Sequence, residues 1–209
     1  MEFFDDEVWL KWIDLLSEQD YVVADNFLPQ DIFYSVSEFF AEKLRENDFQ
    51  EASVGAGTEN KIISEIRGDY TYWLDNKRDG SISRLFYLVE ELISKLNRYC
   101  YLSLADYELH LAHYPAGTFY KKHVDQIRDR SNRMITVIIY FNKDWKPGDG
   151  GELKMYLKDR EEIIAPFENR LVLFKSAEIP HEVLKTNKAR LSLTGWLLYQ
   201  PSGVGYLFT

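Results

Sequence analysis

The sequence predicts an α+β fold in which helices come first and about eight antiparallel strands follow as two packed sheets, a jelly-roll-like arrangement. Three observations carry this expectation. Apolar residues recur at helical spacing through most of the first hundred residues. After Tyr107 the texture changes to short runs of β-branched and aromatic residues separated by turn residues. Helices grouped ahead of strands, with no internal repeat, place the helices as a buttress on one sheet.

The helices can be assigned in order. Over residues 6–16, Val8, Trp9, Trp12, Ile13, Leu15 and Leu16 form an apolar face behind an acidic first turn. In 28-LPQDIFYSVSEFFAEKLREN-47, Pro29 marks a start compatible with its fixed φ, and an apolar stripe follows. A third helix spans 82-ISRLFYLVEELISKLNRY-99, with Ser81 as the candidate N-cap. Between the last two lie a Gly-containing stretch, 52-ASVGAGTEN-60, and 65-EIRGDYTYW-73. Loops of the first composition serve either as surface connections or as lids. The eight strands are expected at 107–114, 118–125, 133–142, 151–157, 161–166, 170–175, 181–185 and 189–199.

Bulk properties narrow the class. The 209 residues, 45% hydrophobic, suffice for one domain with a sizeable core, and no Pro/Gly/Ser-rich linker divides them. The expected organisation is helical support over 1–106, a jelly-roll core over 107–199 and a tail over 200–209. A net charge of -9 argues against nucleic acid and anionic membrane as partners. Lys121, Lys122, Arg128, Arg130 and Arg133 form a local basic exception, most of it read as a solvated loop. Cys100 is the only cysteine, so neither an internal disulfide nor a cysteine zinc site is available. The acidic start lacks a signal peptide's pattern, and no segment has a membrane span's apolar length. A soluble cytoplasmic protein is expected.

The chemistry concentrates in the strands. In 118-TFYKKHVD-125, His123 and Asp125 stand two apart and would share a strand face. His110 and His113 lie on opposite faces of their strand, so at most one points inward. His181 opens a strand after Pro180, and Arg190 follows nine residues later within an apolar strand. A buried guanidinium needs an anion. That anion is either a protein carboxylate, such as Glu152 or Asp159, or a small molecule whose carboxylate would accept two parallel hydrogen bonds. Tyr140 could lend its hydroxyl to the same carboxylate. Two histidines and a carboxylate on one face match the facial triad of non-haem Fe(II) oxygenases, although zinc accepts the same ligands. The arginine tips the balance toward iron with an oxoacid cosubstrate.

The pieces 65-EIRGDYTYW-73, 114-YPAGTFYKKHVD-125, 140-YFNKDW-145, 150-GGELKMY-156, 180-PHEVL-184 and 190-RLSLTGW-196 occur in an order that resembles the Fe(II)/2-oxoglutarate-dependent prolyl 4-hydroxylases. The likeness runs from about Phe27 to Tyr199 and is closer to the hypoxia-factor prolyl hydroxylases and their bacterial relatives. It implies a double-stranded β-helix, with iron held by His123, Asp125 and His181. It further implies that Arg190 and Tyr140 bind the distal carboxylate of 2-oxoglutarate, with Tyr114, Thr136 and Trp196 lining that pocket. Arg67, Asp69 and Trp73 match a segment used around the substrate, His110 would sit near it, and 52–60 becomes the lid. Collagen-type relatives usually carry lysine where Arg190 stands.

The implied cofactors are Fe(II), 2-oxoglutarate and O2, with ascorbate as an optional reductant. The implied reaction decarboxylates 2-oxoglutarate to succinate and CO2 and hydroxylates a prolyl residue of a protein, a transcription or translation factor among the family's targets. Recognition would fall to the lid, the strand edges and the tail 200–209. Two other readings remain open at this point: hydroxylation of a free amino acid or other small molecule, and a non-catalytic module sensing 2-oxoglutarate or oxygen.

Overall fold

A computed structural model describes residues 2–52, 66–126 and 132–199. The expected lid beyond Ala52, the loop arginines Arg128 and Arg130, and the tail 200–209 lie outside the described residues. Helix α1 (Asp6–Gln19) is followed by strand β1 (Tyr21–Ala24), helix α2 (Gln30–Arg45) and strands β2 (Gln50–Glu51) and β3 (Tyr70–Trp73). Helix α3 (Ser83–Cys100) then leads into β4 (Asp106–Tyr114), β5 (Tyr120–His123), β6 (Arg133–Tyr140) and β7 (Leu153–Tyr156). The chain closes with β8 (Glu161–Ile164), β9 (Leu171–Lys175), β10 (His181–Val183) and β11 (Arg190–Leu198).

The strands form a seven-stranded sheet, ordered β1-β9-β6-β11-β4-β3-β2, and a four-stranded sheet, ordered β5-β10-β7-β8. All pairings are antiparallel. Every strand expected from the sequence is present. Three more, β1 to β3, occur within the stretch expected to be mostly helical, and they extend both edges of the larger sheet. The start of α3 also differs from expectation. A 3-10 turn, Gly80–Ile82, precedes it, so Ile82 occupies the cap position and Ser81 makes no capping bond. Among the described residues no helix is long and apolar enough to cross a membrane.

Strict alternation on the central strands separates two jobs. Leu193 and Leu197 on β11, Leu109 and Leu111 on β4, and Ile135, Val137 and Ile139 on β6 face the helices. They pack with Trp9, Ile13 and Leu16 of α1, Ile32, Val36 and Phe40 of α2, and Leu85, Leu88 and Leu92 of α3. The residues between them on each strand turn toward the smaller sheet. There Ile138 and Tyr140 meet Leu153, Met155, Ile164 and Phe174 in a second core. The helices thus seal one face of the large sheet, and its other face is left to build a cavity.

Two places require glycine. A Cβ on Gly195 would lie 2.1 Å from the Glu108 carbonyl across the β4–β11 pair. Gly150 and Gly151 both have φ near the left-handed region, +73° and +72°, and carry the chain past the start of β11.

Candidate active site

The space between the sheets holds a cavity of about 670 Å3. At its inner end, β10 lies beside β5 so that His181 faces His123 directly across the strands. Their ring centroids are 4.3 Å apart. Asp125 completes the group from a bend just past β5, since the strand expected to reach Asp125 ends at His123. The Nε2 atom of His123 lies 3.5 Å from Asp125 Oδ1, and that of His181 lies 3.6 Å from Oδ2. One ligand atom from each residue falls within 4.8 Å of the others, close enough for a single ion to meet all three.

The surroundings orient these groups. Nδ1 of His123 is 2.8 Å from the Lys121 carbonyl, and Nδ1 of His181 is 3.1 Å from the Ile179 carbonyl. A carbonyl only accepts, so each Nδ1 carries the proton and each Nε2 keeps a lone pair aimed at the centre. Tyr120 stacks on the His123 ring at 3.7 Å. Asp125 Oδ2 accepts a 2.7 Å hydrogen bond from the Thr136 hydroxyl, itself 2.9 Å from Ser176 Oγ. Burial alone would raise the Asp125 carboxyl, but the His181 and His123 imidazoles and the Thr136 hydroxyl outweigh it and hold it well below the usual range. Burial pushes His181 down, so both groups favour the forms that bind a cation.

Arg190 enters the cavity from the first residue of β11 and is 1% exposed. Its Nε donates to the Gly151 carbonyl at 2.9 Å, which the left-handed turn at Gly150 and Gly151 turns toward it. A second donor reaches Ser192 Oγ at 3.3 Å. Among the described residues no carboxylate lies within ion-pairing distance of Arg190. Asp159 pairs with Arg160 instead, and Glu152 makes no ion pair among the described residues. The guanidinium lies 4.9 Å from the Tyr114 ring centre and 5.0 Å from that of Tyr140. The Tyr140 hydroxyl is shielded from solvent without a hydrogen bond of good geometry. Burial raises its phenol, partly offset by the nearby Arg190 cation. A buried cation beside an idle hydroxyl is a receptor for one end of a small carboxylate.

The outer end of the cavity is aromatic. Trp196, expected to line the cosubstrate pocket, lines the same cavity six residues along β11 from Arg190 and packs against Trp73 and His110. His110 is the inward-facing member of its pair, and His113 turns toward Phe49. Arg67 binds the fully buried Asp69 through two hydrogen bonds of 2.7 and 2.6 Å and lies over Tyr120. Asp69 therefore sits behind the wall, holding Arg67 in it.

Sequence reasoning passed over Tyr120, Arg133, Ser176 and Thr194. Arg133 counted as a loop charge, yet it is 5% exposed, lies 3.3 Å over the Trp196 ring and donates to Glu108 at 2.9 Å. A register shift at Leu197/Leu198 turns Arg133 inward, where simple alternation would have placed Met134. Tyr120 faces His123 through a similar shift in β5 against β10. Alternation along β11 does predict Thr194, between Ser192 and Trp196.

Residues 109–198 match the 2OG-Fe(II) oxygenase superfamily. Human prolyl hydroxylase EGLN3 is 30% identical over 202 residues, covering 88% of this chain and 80% of that protein. Mouse Egl nine homolog 1 is 32% identical over 162 residues, and the chain spans only 39% of its length. A Pseudomonas putida prolyl-4-hydroxylase has the same fold with a TM-score of 0.84 at 32% identity, covering 92% of this chain and all of that one. A Trichoplax adhaerens prolyl hydroxylase, in complex with a peptide fragment of the hypoxia inducible factor oxygen degradation domain, aligns with a TM-score of 0.82 at 27% identity over 92% of this chain and 90% of its own. A chain with this fold, this cavity and these relatives belongs to the prolyl hydroxylase family of the 2OG-Fe(II) oxygenase superfamily.

Proposed function

We propose that the chain is an Fe(II)- and 2-oxoglutarate-dependent dioxygenase that hydroxylates a prolyl residue of a protein substrate at its 4-position, releasing succinate and CO2. The observation that carries this reading is the buried Arg190, without a carboxylate partner among the described residues, in one cavity with the His123–Asp125–His181 group.

The residues fit the groups this reading requires. Two imidazole nitrogens and one carboxylate oxygen supply a facial set with positions left for other ligands. Arg190 and Tyr140 would take the distal carboxylate of 2-oxoglutarate, with Tyr114 as a wall. The iron, once loaded, supplies the oxidative chemistry that decarboxylates the oxoacid and hydroxylates carbon. The protein's own contribution is placement. Thr136 keeps the Asp125 carboxylate turned to the centre, and the two backbone carbonyls fix both imidazoles. Arg190 sets the cosubstrate's register without making or breaking a bond. Arg67, Trp73, His110 and Trp196 line the outer end, where the prolyl residue would lie. A protein substrate is supported by the Trichoplax relative, which holds a peptide.

The test is incubation of the protein with Fe(II), 2-oxoglutarate, oxygen and proline-containing peptides, with ascorbate as reductant, read by mass spectrometry and succinate assay. The expected result is succinate formed together with one added oxygen atom on a proline, both abolished in Asp125→Ala. Succinate without peptide modification would redirect the reading to a small-molecule substrate. No turnover at all would leave a binding module.

A further inference from the structure

Two residues of the outer wall, His110 and Trp196, have a buried nitrogen without a hydrogen-bond partner, and His110 is the one that can both donate and accept. His110 on β4 pairs in register with Thr194 on one side and Trp73 on the other. Its ring centre is 4.8 Å from that of Trp73 and 5.5 Å from that of Trp196. The side chain is buried and lines the cavity, and its Nδ1 is shielded from solvent without a hydrogen-bond partner. Leaving such an atom unpaired costs about 1–3 kcal/mol. Methionine or leucine would fill the slot between two indoles without that cost, so the nitrogen has no evident structural purpose.

The charges around His110 indicate what it would meet. Burial, helped by the Arg67 and Arg133 cations and only partly offset by the Asp69 and Asp125 carboxylates, pushes the imidazole down to about 3, so it is neutral at physiological pH. A neutral imidazole offers one donor and one acceptor. The neighbouring cations are committed, Arg67 to Asp69 and Arg133 to Glu108. Among the described residues the outer end therefore presents ring faces and uncharged polar groups, the His110 imidazole and the Trp196 Nε1–H among them. A free amino acid would bring an ammonium and a carboxylate to this place, where the two arginines beside His110 are already engaged by protein carboxylates. A prolyl residue within a peptide brings an apolar ring, carbonyl oxygens and the next residue's N–H, since proline itself has no amide hydrogen.

We propose that His110 is a specificity-determining residue that hydrogen-bonds a backbone amide group flanking the target proline, selecting peptides over free amino acids. This rests on the prolyl hydroxylase reading above, and the experiment separates the two. His110→Met keeps the bulk and removes the polar atoms; His110→Gln keeps a donor and an acceptor. Peptide KM, 2-oxoglutarate Kd and thermal stability of the substrate-free protein are measured for both. In His110→Met, peptide KM is expected to rise about five- to tenfold, the worth of one neutral hydrogen bond. Its 2-oxoglutarate affinity stays the same, and the substrate-free protein melts at the same temperature or higher. His110→Gln is expected to stay within about twofold of the parent in peptide KM. Equal peptide KM in parent and His110→Met overturns the proposal while leaving the enzyme reading intact. A lower melting temperature in substrate-free His110→Met also overturns it, because His110 would then be structural, and this outcome needs no peptide. Failure of the parent protein to hydroxylate any peptide, with succinate still formed, overturns the prolyl reading and this inference with it.

Discussion

Replacing Arg190 by methionine should separate its stability from its binding role. Arg190 is 1% exposed; its guanidinium bonds the Gly151 carbonyl and the Ser192 hydroxyl beside the Tyr140 hydroxyl, with no carboxylate of the described residues near. A buried charge held by neutral acceptors alone costs several kcal/mol of desolvation that hydrogen bonds only partly offset. Methionine has similar length and no charge, and loses one or two neutral bonds worth about 0.5–1.5 kcal/mol each. The ligand-free Arg190→Met protein should therefore be no less stable than the parent in urea unfolding. Its affinity for 2-oxoglutarate should collapse. Two charge-assisted bonds to a carboxylate, at the low end of about 1.5 kcal/mol each, amount to about 3 kcal/mol, or roughly a hundredfold in Kd. Titration calorimetry on protein loaded with redox-inert Mn(II) measures this without turnover. A Kd within about threefold of the parent, less than the worth of a single charge-assisted bond, would refute the assignment. A large loss of stability would show instead that the guanidinium is a structural pillar.

Other tests probe the supports around it. Thr136→Val removes the hydroxyl that holds Asp125 and should weaken Mn(II) binding by about 10- to 100-fold, seen by electron paramagnetic resonance titration; unchanged affinity would mean the carboxylate needs no such hold. Gly195→Ala sets a methyl group 2.1 Å from the Glu108 carbonyl and should cost about 1–3 kcal/mol or more in urea unfolding, because β4 and β11 must part. The metal-free protein should lose stability as pH falls below about 6.5, because the unfolded chain protonates histidines that burial keeps neutral in the fold. For His110 that loss continues down to about 3. His110→Met should flatten the slope between pH 6 and pH 4 by up to about 1.4 kcal/mol per pH unit, the linkage of one proton, and identical slopes would contradict the buried neutral state.

What could be read in advance depended on the distance over which each signal acts. Strands β4 to β11 were legible because alternation and turn residues are local, but alternation left open which of His110 and His113 points inward, and the place of Thr136 in the pocket was implied only by the family resemblance. Strand β1 was not legible. Its four residues follow α1 closely and pair with Leu171–Phe174, about 150 residues away, so nothing nearby marks them as sheet. Register shifts escaped for a similar reason. A bulge depends on two strands together, and it was bulges that turned Arg133 inward and set Tyr120 against His123. Trp196 shares the cavity with Arg190, and its height along β11, beside Trp73 and His110, is something parity alone does not give.

Charge placement shows why the inner pocket is selective. The chain carries -9 overall, which repels a dianion such as 2-oxoglutarate at long range. Four arginines, Arg67, Arg78, Arg133 and Arg190, nonetheless line the cavity, and they differ in what they have left to offer. Asp69 and Glu108 engage Arg67 and Arg133 at the outer end, leaving little field there for a small anion. Arg78 pairs with Asp79, and Arg190 alone among these four meets no carboxylate of the described residues; it lies at the inner end with Tyr140 beside it. An acidic exterior and neutralised outer arginines would make weakly matched anions unprofitable to hold, while a ligand able to reach Arg190 with one carboxylate and the His123–Asp125–His181 centre with its other end gains both contacts at once. Raising salt should therefore weaken 2-oxoglutarate binding only slightly, since the interaction that matters is buried and short-ranged. A steep salt dependence of the 2-oxoglutarate Kd, measured on the Mn(II)-loaded protein, would place the recognition at the exposed rim and overturn this account.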